Sequence, residues 1–313
     1  MPSAVRRVPG ADHAGHAGHA GHNGFLRRLS HHPPRRRLRD GRRTFRCSAP
    51  RPHTTPGRHR GRRFLAPIQV DPSGPTISGP VWATVATGVL PPVHRIFDND
   101  LHGNQLAAHP TFLARVEHAR PGARTFALAD WPPLVTTDHG GPIFPGGRLI
   151  PPGGTEHHGL ATWEQCEDQL ADDAVEVLGR QDVHAAFVYF VGPDAVAHEL
   201  GTGPEYVHAI EATDARMGRI LAAIRARATA ATEEWTVVVV TDHGHRDEGG
   251  HGGDSPEERT AWIAASGPTV PATPPEGLAH ADIHPHVLTA LGIDLDPSWG
   301  LTGRPFDVDV QPA

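Results

Sequence analysis

The sequence predicts an α/β domain built on a mainly parallel sheet, and three observations carry that expectation. Thr125–Ala129 (TFALA), Ala185–Val191 (AAFVYFV) and Trp235–Thr241 (WTVVVVT) are short apolar runs rich in β-formers, the pattern of strands covered on both faces. Between the last two, Tyr206, Ile210, Met217, Ile220, Leu221 and Ile224 recur at helical spacing within Glu205–Arg225. That is an amphipathic crossover helix, and strand–helix–strand implies a right-handed βαβ unit. A strand near Thr260–Ala265 and a helix near Asp282–Leu291 continue the alternation. The chain has 313 residues, ample for one large core, and its 35 Gly and 32 Pro supply many turns.

Charge divides the chain in two. Residues 1–66 hold 16 Arg against only Asp12 and Asp40, whereas the remainder holds 13 Arg against 33 acidic residues. Every basic residue is Arg, as in a GC-rich gene. Residues 13–22 read HAGHAGHAGH, and Pro-Arg-His clusters follow, a composition that cannot bury enough apolar surface to order itself. Three readings of this segment compete: a basic arm for nucleic acid or a His-rich metal collector, a disordered tail, and out-of-frame translation of GC-rich DNA. The last is favoured, and nucleic-acid binding by the arm is not expected. The folded domain is expected over residues 67–313. No apolar run reaches the length of a membrane span, and no basic start leads into an apolar segment of the kind that makes a signal peptide. Two cysteines, Cys47 and Cys166, make no disulfide framework. Location and oligomeric state are left open.

In sheets of this kind the chemistry sits past the carboxyl ends of the strands, and metal-type residues collect there. Gly-Pro-Asp194-Ala-Val-Ala-His198 follows the run 185–191, Asp242-His243-Gly244 follows 235–241, and His251 lies in a Gly-rich loop eight residues further on. Carboxylate and imidazole donors at adjacent strand ends suit a divalent ion such as Zn²⁺. As isolated residues they read equally well as polar loop or cap positions. Two strand ends and a Gly-flanked His in one unit favour the metal. Upstream, Ser78 in Pro75-Thr76-Ile77-Ser78-Gly79-Pro80 is an ordinary turn residue by itself. Beside a metal site, its hydroxyl becomes a usable nucleophile, because coordination lowers its pKa.

These segments resemble the type I phosphodiesterase/nucleotide pyrophosphatase proteins of the alkaline phosphatase superfamily. PTISGPVWATVATGVLPPVHRIFDN is similar to their nucleophile segment, PDAVAH to Pro-Asp-x-x-Gly-His, and TDHGH to Asp-His-Gly-Met. DHGHRDEGGHGGDSPEERT is also similar to a block of the superfamily's phosphoethanolamine transferases, and DIHPHVLTALGI and GLTGRPF to its closing helix and tail. The resemblance runs from about residue 67 to 307 with its motifs in family order, which is more specific than any one motif.

The resemblance implies an alkaline phosphatase-like three-layer fold. It implies Ser78 as nucleophile, Asp242 and His243 at a first metal, Asp194, His198 and His251 at a second, and Asn99 donating to a phosphoryl oxygen. Two divalent ions, zinc being the expected metal, would assist attack on phosphorus and hydrolysis of a phosphoseryl intermediate. The implied substrate is a small-molecule phosphate ester, of phosphodiester or nucleotide pyrophosphate type. Alternatives are an inactive relative that binds metal only, and a phosphomonoesterase or sulfatase-type member, the latter demoted because Ser78-Gly-Pro-Val-Trp82 lacks the Arg of the formylglycine signature.

The departures are local, with one exception. Ala197, Arg95 and His245 replace a Gly, a Gly and a Met, and Val81-Trp82 replace an Asn and its follower. Gly79 stands where nucleotide-cleaving members carry a base-stacking aromatic. The exception is the family's first strand, which is apolar and ends in Asp-Gly. The only Asp-Gly before Ser78 is Asp40-Gly41, set among Arg residues. Burying those charges unpaired would be prohibitive, so the first strand is read as missing or replaced and Asp40 as a minority candidate for the remaining ligand.

Overall fold

The computed structural model describes residues 23–30, 62–151 and 160–306. Asp40, Cys47 and most of the basic segment therefore lie outside the described residues. Seven strands form one sheet: β1 (Asn23–Ser30), β2 (Arg62–Gln69), β3 (Thr125–Ala129), β4 (Arg148–Leu149), β5 (Ala185–Val188), β6 (Glu233–Val240) and β7 (Thr260–Gly267), in the order β2-β7-β6-β1-β5-β3-β4. The helices are α1 (Ser78–Thr87), α2 (Pro91–His94), α3 (Phe112–Ala119), α4 (Pro132–Val135), α5 (Leu160–Arg180), α6 (Gly192–Leu200), α7 (Pro204–Arg225), α8 (Pro256–Arg259) and α9 (Ile283–Ala290).

Strand direction follows from the pairings. β3 runs parallel to β4 and β5, β1 is antiparallel to both β5 and β6, and β7 is antiparallel to both β6 and β2. β2, β3, β4, β5 and β6 thus point one way, and β1 and β7 the other. The expected strand–helix–strand unit is present as β5, α7 and β6, but its strands are not neighbours. β1 lies between them, pairing along its whole length from Asn23↔Val240 to Ser30↔Glu233. A strand drawn from the basic segment, reversed in direction, thus fills the centre of the sheet. The boundary expected at residue 67 falls inside β2.

Alternation of side chains across the sheet divides the core between two faces. Ala185 and Phe187 join Trp82, Phe112, Phe144 and Leu288 on the face covered by α1, α3 and α9. Ala186 and Val188 join Leu170, Ala174, Leu178, Ile220 and Ile224 beneath α5 and α7. β5 is buried on both faces as its composition predicts, whereas β6 and β7 alternate buried with partly exposed residues. Phe187 anchors the first face, stacked on Phe144 at 4.3 Å and edge-on to Trp82 at 5.7 Å, and each such side chain contributes about 1.5–3 kcal/mol by burial. The predicted strand 185–191 is shorter in the structure, where β5 ends at Val188, the Tyr189 amide still bonds Leu128 O at 2.9 Å, and the chain turns into α6 at Gly192. The Val191 amide is capped there by the Asp130 carboxylate at 3.1 Å. No helix among the described residues is long and apolar enough to cross a membrane.

Candidate functional site

The site lies where α1, α6 and the segment after β6 converge. Ser78 is the first residue of α1, so its hydroxyl stands at the positive end of the helix dipole. Its Oγ is 3.2 Å from His243 Nε2, and Asp242 Oδ2 is 3.2 Å from the same nitrogen. Asp242 and His243 directly follow Thr241 at the end of β6, where the backbone leaves regular structure and two sequence neighbours can face one point. Gly244 is required at this bend, since a Cβ would meet Glu257 O at 2.0 Å. Asp194 and His198 stand one turn apart on α6 and face the same way.

Around Asp194 the donors are close. His198 Nε2, His251 Nε2 and His245 Nε2 lie 3.6, 3.5 and 3.0 Å from Asp194 Oδ1, and the first two are 2.9 Å from each other. The His243 and His251 rings stack at 3.7 Å, joining this group to Ser78. Asp194, His243 and His251 each bring one donor atom within 4.8 Å of the others, so a divalent ion can be held there.

The ring nitrogens are assigned by their partners. His243 Nδ1 faces Gly244 O at 3.1 Å and His251 Nδ1 faces Thr76 O at 2.6 Å. A carbonyl only accepts, so both Nδ1 atoms carry the proton and both Nε2 atoms present a lone pair to the cluster. Metal-ligating histidines are commonly oriented by this kind of backbone carbonyl. Burial, reinforced by neighbouring imidazoles, lowers His243 and His251 to about 4, so both are neutral ligands at neutral pH. Burial raises the Asp194 carboxyl, but the close approach of His245 and the charges of His243, His245 and His251 together hold it below the usual range. Asp242 goes the other way, raised by burial and by the Asp194 charge despite the pull of the Ser78 hydroxyl.

Asn99 reaches the same helix start: its Oδ1 accepts the Gly79 N–H at 2.9 Å. That turn explains the missing aromatic, because a Cβ on Gly79 would meet Asp98 O at 2.3 Å. Ser78, Asp194, His198, Asp242, His243 and His251 are thus gathered in one cluster, with Asn99 at its edge. Asp40 is outside the described residues, as are His157 and His158.

Three features escaped the sequence reading. Thr76 is fully buried, and its hydroxyl lies 2.9 Å from both Gly252 N and Gly253 O, clasping the loop that carries His251. His245, treated as a tolerable replacement of Met, stands inside the cluster. Glu167 accepts the Gly192 N–H at 2.7 Å at the start of α6 and pairs with Arg216 at 2.6 Å, fixing the helix that carries Asp194. The Pro-Thr-x-Ser string was the signal for Thr76; no local pattern announces Glu167 and Arg216, 49 residues apart. His284 and His286, read as surface or helix positions without a role, lie in α9 and are buried.

Comparison with known proteins agrees with this architecture. Two 2,3-bisphosphoglycerate-independent phosphoglycerate mutases are similar to parts of the chain. That of Haloarcula marismortui is 30% identical over 149 residues, 46% of this chain and 27% of the mutase. That of a Synechococcus species is 26% identical over 175 residues, 49% of this chain and 30% of the mutase. The chain thus spans less than a third of the length of these curated relatives. Among solved structures, a 2-O GAG sulfatase superposes with a TM-score of 0.56 at 15% identity, covering 79% of this chain and 65% of its own. A putative sulfatase from Bacteroides thetaiotaomicron gives a TM-score of 0.56 at 14% identity over 79% of this chain and 66% of its own. At such identities the likeness is one of fold, the alkaline phosphatase-like α/β fold. The profile of the type I phosphodiesterase/nucleotide pyrophosphatase family matches residues 61–263 in one stretch from β2 into β7, and the chain belongs to that family.

Proposed function

We propose that the chain is a metal-dependent hydrolase of phosphoric esters, of phosphodiester or nucleotide pyrophosphate type, with Ser78 as nucleophile. The observation that carries this reading is the position of Ser78 Oγ, 3.2 Å from His243 Nε2 at the start of α1 and contiguous with Asp194, His198 and His251. Asp242 and His243 would hold one divalent ion, and Asp194, His198 and His251 a second; zinc suits these carboxylate and imidazole donors. When bound, the ions neutralise phosphate charge and lower the pKa of the serine hydroxyl.

The chain's own groups do the rest. With its pKa lowered by the bound ions, Ser78 Oγ would give its proton to solvent and attack phosphorus, forming a Ser–O–P bond as the ester oxygen departs with the leaving group. Water then breaks that bond, releasing phosphate or its monoester and returning the proton to Ser78. The N-terminus of α1 offers its dipole to the anionic group. Asn99 spends Oδ1 on the Gly79 amide, which leaves its NH2 to donate to a phosphoryl oxygen. With no side chain at position 79, base stacking there does not contribute, which favours esters bound through phosphate.

A second reading, metal binding without turnover, is favoured by β1. This strand is reversed relative to β5 and β6 and ends at Ser30, beside the first residue of β6 and at the opposite end of the strands from Asp242. Hydrolysis of a bis-aryl phosphate by the full chain, with zinc, manganese or no added metal, separates the two. Metal-dependent turnover abolished in Ser78→Ala supports the hydrolase. Metal binding with no turnover, and Ser78→Ala indistinguishable from the parent, supports the second reading. The ratio of diester to monoester rates places the activity among phosphodiesterases or phosphatases.

A further inference from the structure

We infer that His245 is an additional ligand of the metal held by Asp194, His198 and His251, making that site one carboxylate and three imidazoles; the inference rests on the metal reading above. The sequence is DHGH at 242–245, and the second histidine belongs to no part of the ligand set already assigned.

Three observations point the same way. His245 is fully buried, and neither of its ring nitrogens has a hydrogen-bond partner; the same holds for Asp194 Oδ1. Buried imidazoles ordinarily satisfy at least one nitrogen, and His243, His251, His280 and His284 all do so here through a backbone carbonyl. His245 instead brings Nε2 to 3.0 Å from Asp194 Oδ1 without hydrogen-bond alignment.

Measured from Asp194 Oδ1, the spacing is compatible with ligands sharing an ion. Ligand bonds of about 2.0–2.1 Å at tetrahedral angles put neighbouring donors about 3.3–3.4 Å apart. The measured separations around Asp194 Oδ1 are 3.0 Å to His245, 3.5 Å to His251 and 3.6 Å to His198, and His198 to His251 is 2.9 Å. Three nitrogens therefore surround one carboxylate oxygen at distances bracketing that edge. The His245 ring stands nearly perpendicular to those of His198, at 86°, and His251, at 89°. Tyr206 packs beside His245, the two ring centres 6.1 Å apart and the rings inclined at 66°.

The test uses the full chain titrated with Zn²⁺ against a chromophoric chelator, and with Co²⁺ read by its visible ligand-field bands. His245→Met restores the residue usual at this place and keeps the volume; His245→Gln keeps a hydrogen-bond donor toward Asp194 but ligates poorly. Ligation predicts that both variants lose more affinity than the about 10- to 100-fold that removing a merely orienting group costs, and show an altered Co²⁺ spectrum, with unchanged far-ultraviolet circular dichroism. Parental affinity and spectrum in both variants would overturn the inference while leaving the metal reading intact. Loss in His245→Met with parental behaviour in His245→Gln would make His245 a donor that orients Asp194, and would also overturn it. Should neither variant fold, X-ray absorption of the parent at one equivalent of zinc decides: three imidazoles support ligation, two or fewer refute it. A parent that binds neither metal overturns this inference together with the reading beneath it.

Discussion

Thr76 fastens the loop of His251 to the segment of Ser78. Its carbonyl accepts from His251 Nδ1 at 2.6 Å, and its hydroxyl accepts from Gly252 N and donates to Gly253 O, both at 2.9 Å. The loop is glycine-rich and has no regular structure of its own, so this clasp sets where His251 Nε2 points.

Thr76→Val keeps the shape and removes the hydroxyl. Two backbone groups of a partly exposed loop lose their partner, so stability should fall by about 0.5–1.5 kcal/mol in denaturant unfolding. Metal affinity by chelator competition should fall about 10- to 100-fold, as for other groups that orient a ligand. Unchanged affinity would mean the loop is held by something else.

Arg216 joins α7 to α5 through Glu167 at 2.6 Å, Asp168 at 2.9 Å and the Glu164 carbonyl at 3.1 Å. Arg216→Met leaves Glu167 buried without its cation, close to Asp130. Removing one partner of such a pair costs about 3–5 kcal/mol. The thermal midpoint should drop accordingly, and saturating metal should recover part of it through the α6 residues that bind it. A midpoint equal to the parent's would show that the ion pair contributes nothing net.

The same cluster gives stability a pH dependence. Burial pushes Glu167 up to about 7, against the pull of Arg216 and the Gly192 amide. The folded state therefore favours the protonated acid. Its contribution is complete below the unfolded value of 4.5 and is lost as pH rises through about 7. Between about pH 5 and pH 8 the parent should lose stability relative to Glu167→Gln, measured at constant ionic strength. A difference independent of pH would contradict the assignment.

Gly79 is expected to reject any side chain. Gly79→Ala places a Cβ against the Asp98 carbonyl, and should displace the Asp98–Asn99 turn at a cost of about 1–3 kcal/mol. Turnover of a phosphodiester should fall with it, because Asn99 loses the Gly79 amide that positions it. Gly79→Phe should therefore not create a base-stacking enzyme. An increase in activity on nucleotide substrates would refute this.

What was legible in the sequence is what short-range pattern encodes. TFALA is β3 to the residue, and the valine run lies in β6, because apolar β-formers bounded by turns admit few other structures. Asp194, His198, Asp242, His243 and His251 were legible as a metal-type group because they follow two predicted strands, whereas Ser78 reads as a turn residue by itself and gained its role from that group and the family resemblance. β1 was not legible: NGFLRRLS carries two arginines within a basic segment, and its central place follows from pairing with β5 and β6. The Glu167–Arg216 pair was hidden because a buried ion pair between two helices has no local signature. His245 was visible as a substitution, but only its position against Asp194 gives it meaning.

The central claim is that Ser78 Oγ is the atom that attacks phosphorus. Acid-quenching the metal-loaded chain during turnover of a bis-aryl phosphate, followed by peptide mass spectrometry, tests it most directly. The account predicts phosphate on the peptide containing Ser78, absent without metal and absent in Ser78→Ala. Turnover that persists in Ser78→Ala, or phosphate found on another residue, would contradict it.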